Sequence, residues 1–123
     1  MLNEKYRTIS QIHDAFDKKE LTPTALARDT LAAIKASKHN AFLLTMEDRA
    51  MAAAKNAEQV LAKSGKVPRG EYPLLGIPIA LKDNLVLDGV RTTCASKMLE
   101  NYIPPYTGTA VERLEKAGAV FVG

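Results

Sequence analysis

Leu74-Leu75-Gly76-Ile77-Pro78-Ile79-Ala80-Leu81-Lys82-Asp83-Asn84 is an apolar run that breaks off in a lysine, an aspartate and an asparagine. A short apolar run with Gly and Pro near its start and polar residues at its end reads as a strand buried on both faces. Period-two alternation puts Ile77, Ile79 and Leu81 on one face and Pro78, Ala80 and Lys82 on the other. Pro78 has no N–H to donate, so the strand lies at a sheet edge or begins its pairing after that residue. Open α/β sheets hold their ligands in the crevice beyond the carboxyl ends of such strands. Lys82 stands at that end.

Upstream of this strand the chain reads as helical. Thr8-Ile9-Ser10-Gln11 has the capping-box form and predicts a helix over about 9–19, with Ile12, Ala15 and Phe16 inward. His13 lies beside that stripe and is expected at the surface or half-buried. Thr22-Pro23 opens a second helix, Thr as N-cap and Pro at the first helical position, with Ala27, Leu31 and Ile34 on its buried face and an end near Ser37. Residues 40–45 have the composition of a short strand. Thr45 then offers an N-cap for a third helix running to Lys63 and stopped by Ser64-Gly65. Its inward face reads Ala50, Ala53, Ala54, Ala57, Val60 and Leu61, and so many alanines permit close helix approach. Residues 65–72 form a loop between layers of one domain.

Downstream, Asp88-Gly89 marks a tight turn flanked by Val86-Leu87 and Val90-Arg91 as a small hairpin. Ser96 caps a short helix reaching Glu100, and Pro104-Pro105 prevents regular structure. Thr109-Ala110-Val111-Glu112 is a second capping-box pattern. The helix behind it turns Ala110, Val111, Leu114 and Ala117 inward, pairs Glu112 with Lys116, and ends at Gly118. Ala119-Val120-Phe121-Val122 is a second buried strand. The expected fold class is α/β: a helical layer over about 8–64, then a strand-containing layer over about 72–123, in which flanking helices cover a mixed sheet.

Composition narrows the function classes. The 123 residues are 46% hydrophobic and 25% charged, ordinary for one globular domain. Aromatics are only 6% with no Trp, so the core must rest on aliphatic side chains. The net charge of +3 comes from interleaved lysines, arginines and acids, which argues against a nucleic-acid-binding stripe. A single cysteine, Cys94, excludes an internal disulfide and fits a reducing, cytosolic compartment. The N-terminus is polar and unlike a secretory signal, and no stretch reaches the roughly 20 apolar residues of a bilayer span.

Few residues carry chemistry. Lys82 admits three readings: a solvated lysine at a strand end, a structural ion-pair partner of Asp83 or another acid, or a general base. Base work requires a neutral amine, and a buried strand end supplies the desolvation that favours one. Asp83 and Asn84 either orient Lys82 or bind loop backbone, as Asx residues at strand ends commonly do. Asp83 with Asp88 lacks a third ligand for a metal. Cys94 has no histidine near it in sequence and reads as an inert thiol. A Gly-rich phosphate loop, a zinc pattern and a Gly-x-Ser-x-Gly elbow are all missing from the sequence.

The run from Leu75 to Asn84 resembles the lysine-bearing segment of the amidase-signature family. Asn40-Ala41-Phe42, the alanine-rich helix after it, and Thr109 to Gly123 also fit that family. Gly89-Val90-Arg91-Thr92-Thr93-Cys94-Ala95-Ser96-Lys97-Met98-Leu99-Glu100-Asn101-Tyr102 is most similar to the A-subunit branch of the glutamyl-tRNA(Gln) amidotransferases. The resemblance implies a Ser–cis-Ser–Lys triad in which one serine attacks the glutamine side-chain amide and the second relays its proton to the lysine. Lys82 matches that lysine. It also implies partners: subunits B and C, which receive the ammonia and use ATP and Mg to convert Glu-tRNA(Gln) to Gln-tRNA(Gln). The resemblance implies no cofactor held by these residues. The Gly/Ser-rich segment that bears both serines in the family has no counterpart in these 123 residues, and Ser10, Ser37, Ser64 and Ser96 lie in no such context. The chain therefore reads as an incomplete N-terminal portion of an amidase-signature domain, inactive alone. Two other readings stay open: a portion of another amidase-signature hydrolase, and a non-catalytic assembly module that uses the helical front.

Overall fold

The computed structural model describes residues 6–123; residues 1–5, the start of the polar N-terminal stretch, lie outside the described residues. Helix α1 spans Ile9–Asp17, α2 Pro23–Ala36, α3 Glu47–Ser64 and α4 Thr109–Lys116; strand β1 is Pro78–Ile79, β2 is Val120–Phe121, and Lys97–Leu99 forms one 3-10 turn. The described residues are mostly helical, and the expected mixed sheet is corrected to a small sheet of two parallel strands. A parallel pair needs a long crossover, and residues 80–119 supply it, with α4 as its last element.

Local chemistry explains most helix ends. The Thr8 hydroxyl accepts from the Gln11 N–H at 3.2 Å, and the Gln11 side chain returns a bond to the Thr8 N–H at 3.1 Å, completing the expected capping box. Thr22 caps α2 by accepting from the Ala25 N–H at 3.2 Å, with Pro23 at the first helical position. Gly65 closes α3 in the left-handed region at φ 72°, donating to the Leu61 carbonyl at 2.8 Å. Two expected caps are corrected. Met46, which offers no side-chain acceptor, precedes α3 in place of Thr45; Glu47 and Asp48 in the first turn answer the helix dipole instead. Gly108 precedes α4, and Thr109 is already helical. Ala110, expected inward, is exposed, whereas Val111 is buried as expected.

The core is built by α2 and α3 laid against the sheet. Ala27, Ala50 and Ala54 are fully buried against Val120 and Val122. Alanines at that contact bring the helix backbone close to the strand, so β2 is covered along all of Ala119–Val122. Phe16, Leu26, Ala57, Val67 and Leu75 form a second cluster beneath α1, and Met46, Leu87, Val111, Ala119 and Phe121 a third on the α4 side.

His13 corrects an expectation. It is buried at 2% exposure, and its Nε2 lies 3.1 Å from the Leu75 carbonyl. A carbonyl only accepts, so Nε2 carries the hydrogen. The bond ties α1 to the turn that leads into β1. Arg69 clasps the same helix from the loop side, reaching Asp14 at 2.8 Å and Asp17 at 2.9 Å, while Asp17 also accepts from the Val67 N–H at 2.7 Å.

The expected long strand at 74–82 contracts to Pro78–Ile79, though its neighbours continue the pairing. Gly76 donates to Gly118 at 3.0 Å, Val120 to Ile77 at 2.8 Å, Val122 to Ile79 at 3.0 Å and Leu81 to Gly123 at 2.8 Å. From Ile77 to Leu81 the odd-numbered residues face β2 with their backbone polar groups, so Pro78 lies with its missing N–H on the outer edge, as its chemistry requires. The strand predicted at 40–45 is an extended segment joined to β2 by the Met46 N–H to Val122 carbonyl bond at 3.0 Å. It keeps a strand's alternation: Ala41, Leu43 and Thr45 are exposed, and Phe42, Leu44 and Met46 turn inward. The hairpin at Asp88-Gly89 reduces to one antiparallel bridge between Leu87 and Val90.

Candidate active site at the strand ends

Both strands deliver their carboxyl ends to one place. Gly123, just past β2, accepts the Leu81 amide, and Lys82 follows beyond β1. Leu85 then donates to the Lys82 carbonyl at 2.9 Å, closing a turn over Lys82–Leu85. The backbone is therefore fixed on both sides of Lys82.

A cleft of about 380 Å³ opens there. It is lined by Phe42, Leu44 and Met46 from the extended segment, by Leu81 and Lys82 at the strand end, and by Leu87, Val90, Arg91 and Thr92 from the chain beyond. The crevice lies where open α/β sheets place their chemistry. It is mainly apolar, with Lys82 and Arg91 as its cations. The volume suits a small molecule.

Lys82 lines this cleft but is exposed, and so is Ala80 before it. The expectation of a strand buried on both faces is corrected here. Pairing to β2 ends at Leu81, and beyond that residue the chain turns outward into Asp83-Asn84. The desolvation that base work calls for is not supplied by the packing of these residues.

Asp83 does not take the role of an ion-pair partner. Its carboxylate accepts from the Thr93 N–H at 2.9 Å and from the Thr93 hydroxyl, its carbonyl accepts from the Cys94 N–H at 2.8 Å, and the Ala95 N–H donates to the Thr93 hydroxyl oxygen at 3.3 Å. Burial, the largest single influence, pulls its pKa upward; the Thr93 and Ala95 donors and the charge of Arg91 together carry it below the usual carboxylate range. Asp83 is thus engaged by residues 93–95, where Cys94 and Ala95 hold left-handed backbone at φ 50° and 56°. Cys94 is exposed. Among the described residues, no three His, Cys, Asp or Glu side chains gather closely enough to hold a metal ion. Likewise, no helix among them is long and apolar enough to cross a membrane.

Sequence reasoning located Lys82, the strand end and the crevice. It missed Phe42 and Arg91 as cleft walls and Thr93 as the partner of Asp83. The apolar run over 41–46 does not alternate in sequence and so carries no signal for which of its side chains turns toward the cleft. Sequence spacing carries none for an aspartate and a threonine ten positions apart.

Residues 24–123 match the amidase family. The A subunit of the glutamyl-tRNA(Gln) amidotransferase of Geobacter metallireducens is 47% identical over 118 residues, which cover 94% of this chain and 23% of that protein. The solved structure of native peptide amidase from Stenotrophomonas maltophilia superposes with a TM-score of 0.83 at 26% identity, over 98% of this chain and 25% of its own. A vestigial protein complex bearing on the origins of an s-triazine catabolic enzyme gives a TM-score of 0.83 at 28% identity, over 95% and 25%. The chain spans about a quarter of the length of these relatives. The match over 24–123, together with a crevice built at the lysine-bearing strand end, places this chain in the amidase-signature family.

Proposed function

We propose that this chain is the N-terminal part of the glutaminase subunit of a tRNA-dependent amidotransferase, and that Lys82 is the proton-accepting end of its Ser–cis-Ser–Lys relay. The observation that carries the reading is the position of Lys82: on the wall of the cleft at the carboxyl ends of both strands, with its backbone fixed by the Leu81–Gly123 and Leu85–Lys82 bonds. The 47% identity to the A chain of such an amidotransferase supports the choice of branch.

In this mechanism a serine hydroxyl attacks the carboxamide carbon of glutamine. Its proton passes through the second serine to the Lys82 amine. Collapse to the acyl-enzyme releases ammonia, and water completes glutamate formation. The serines and oxyanion donors come from polypeptide other than residues 1–123, and that polypeptide also covers Lys82 and supplies the missing desolvation. Ammonia passes to subunits B and C, which use ATP and Mg to amidate Glu-tRNA(Gln) in the cytoplasm.

The test grafts residues 1–123 onto the remaining three-quarters of the Geobacter metallireducens protein and measures ammonia release from glutamine. An active hybrid whose turnover falls by about 10²–10⁴-fold on Lys82→Ala fits the reading. Unchanged turnover would end it. The purified 123-residue protein by itself is expected to release no ammonia; turnover that Lys82→Ala abolishes would overturn that expectation.

A second reading, a portion of an amide hydrolase outside tRNA metabolism, draws on the likeness to the peptide amidase structure. The same hybrid separates the two when offered a panel of peptide amides and glutamine. Preference for peptide amides favours the second.

A further inference from the structure

We infer that Asp83 is a positioning residue: its carboxylate clamps residues 93–95 to the turn that carries Lys82, and so holds two walls of the cleft in register. The inference rests on the proposed role of Lys82 and deepens it.

Three features carry it. First, Asp83 follows Lys82 directly and lies inside the turn closed by the Leu85 N–H to Lys82 carbonyl bond of 2.9 Å. Anything that fixes Asp83 also fixes that turn. Second, the carboxylate takes the Thr93 N–H at 2.9 Å and the Thr93 hydroxyl, the Asp83 carbonyl takes the Cys94 N–H at 2.8 Å, and the Thr93 hydroxyl oxygen held this way takes the Ala95 N–H at 3.3 Å. All four of these bonds come from residues 93–95. Third, that loop holds a backbone it would not hold unaided. Cys94 and Ala95 both lie in the left-handed region, at φ 50° and 56°. Each such non-glycine residue costs on the order of 1 kcal/mol or more. Hydrogen bonds to a charged acceptor offset that cost, at about 1.5–3 kcal/mol each. Arg91 and Thr92, which lead directly into that loop, line the same cleft as Lys82.

The arrangement divides the work between neighbours. Lys82 faces the cleft, and Asp83 faces the loop. A neutral asparagine of the same shape still accepts from the Thr93 N–H and can donate to the Thr93 hydroxyl oxygen, but it replaces two charge-assisted bonds with neutral ones about half as strong.

Backbone amide exchange by NMR on the 123-residue chain tests this without any assay of catalysis. Asp83→Asn is expected to lower protection at Thr93 and Ala95 by roughly tenfold or more, and to lower it at Leu85 as well. Leu85 makes no bond to the Asp83 carboxylate, so its response separates positioning of the Lys82 turn from loss of a local contact. Thr93→Val is expected to give a smaller loss at the same amides, and Thr93→Ser to restore it. In the unmodified chain the Leu85 and Ala95 amide resonances should move in step with the Asp83 carboxyl carbon as acid is added, a measurement that stands even if Asp83→Asn fails to fold. Loss confined to Thr93 and Ala95, with Leu85 untouched in both the variant and the titration, would overturn the inference. The Lys82→Ala hybrid fails or succeeds independently of these amides, so the two proposals fall separately.

Discussion

At the residue scale, His13 shows how burial turns a titratable group into a pH-dependent joint. Its burial is the largest influence and lowers the imidazole pKa; the Leu75 carbonyl, Asp14 and Asp17 oppose this, and Arg69 adds to it. The net direction is down from the ordinary value of 6.5. Below that value the unfolded chain takes up the proton more readily than the folded one, so stability present at neutral pH is lost as pH falls through the folded pKa. Melting temperature is therefore expected to drop on acidification from about pH 7 toward pH 5, and His13→Gln is expected to flatten that slope. An equal slope in the variant would move the cause elsewhere. Asp17 and Glu58 contribute at lower pH. Burial pushes each carboxyl up, but the Val67 N–H and Arg69 at Asp17, and the Thr24 donors at Glu58, leave both below their usual values. Their stabilisation is present above the ordinary carboxylate range and fades as pH falls through the lowered values.

His13 also marks a limit of reading residues singly. Its place beside the Ile12, Ala15 and Phe16 stripe was legible, but its burial was not. The acceptor that makes burial tolerable is the carbonyl of Leu75, 62 positions away. Asp83 and Thr93 repeat the lesson over a shorter span.

At the scale of elements, α3 is defined by its alanines. Ala50 and Ala54 are fully buried, and the face they occupy meets both α2 and β2. A larger side chain there must push a helix off the sheet. Ala54→Leu is expected to cost about 1–3 kcal/mol in a urea melt, whereas Ala52→Leu, on the exposed face, should change stability little. Gly118 and Gly65 make a second contrast. Both hold left-handed φ, 94° and 72°. A Cβ on Gly118 would sit 2.8 Å from the Leu75 Cα, while one on Gly65 would meet nothing within 4 Å. Gly65→Ala is expected to cost about 1 kcal/mol, from backbone strain alone. Gly118→Ala adds a clash with main chain and should exceed it by about 1 kcal/mol or more. Equal melting temperatures for the two variants would refute the packing account of Gly118.

At the scale of the whole molecule, apolar surface stands out on the segment after the Lys82 turn. Met98 is 94% exposed, Ile103 59% and Tyr106 56%, and Leu43 on the cleft wall is 64% exposed. Side chains of this kind in close sequence favour association in a small domain. Sedimentation is expected to show concentration-dependent self-association, reduced by Ile103→Glu; a strictly monomeric profile for both would remove the argument.

The helices, their order, the Thr8 and Thr22 caps, the Gly65 stop and the lysine at a strand end are legible in the chain before it folds, because each rests on signals within a few residues: hydrophobic period, capping chemistry and turn formers. Packing in three dimensions made the sheet one short parallel pair, set residues 41–46 along the cleft, buried His13 and joined Asp83 to the 93–95 loop. Those outcomes depend on which distant groups meet, and a linear pattern does not specify the partner of a carbonyl or a carboxylate until the chain has closed around it.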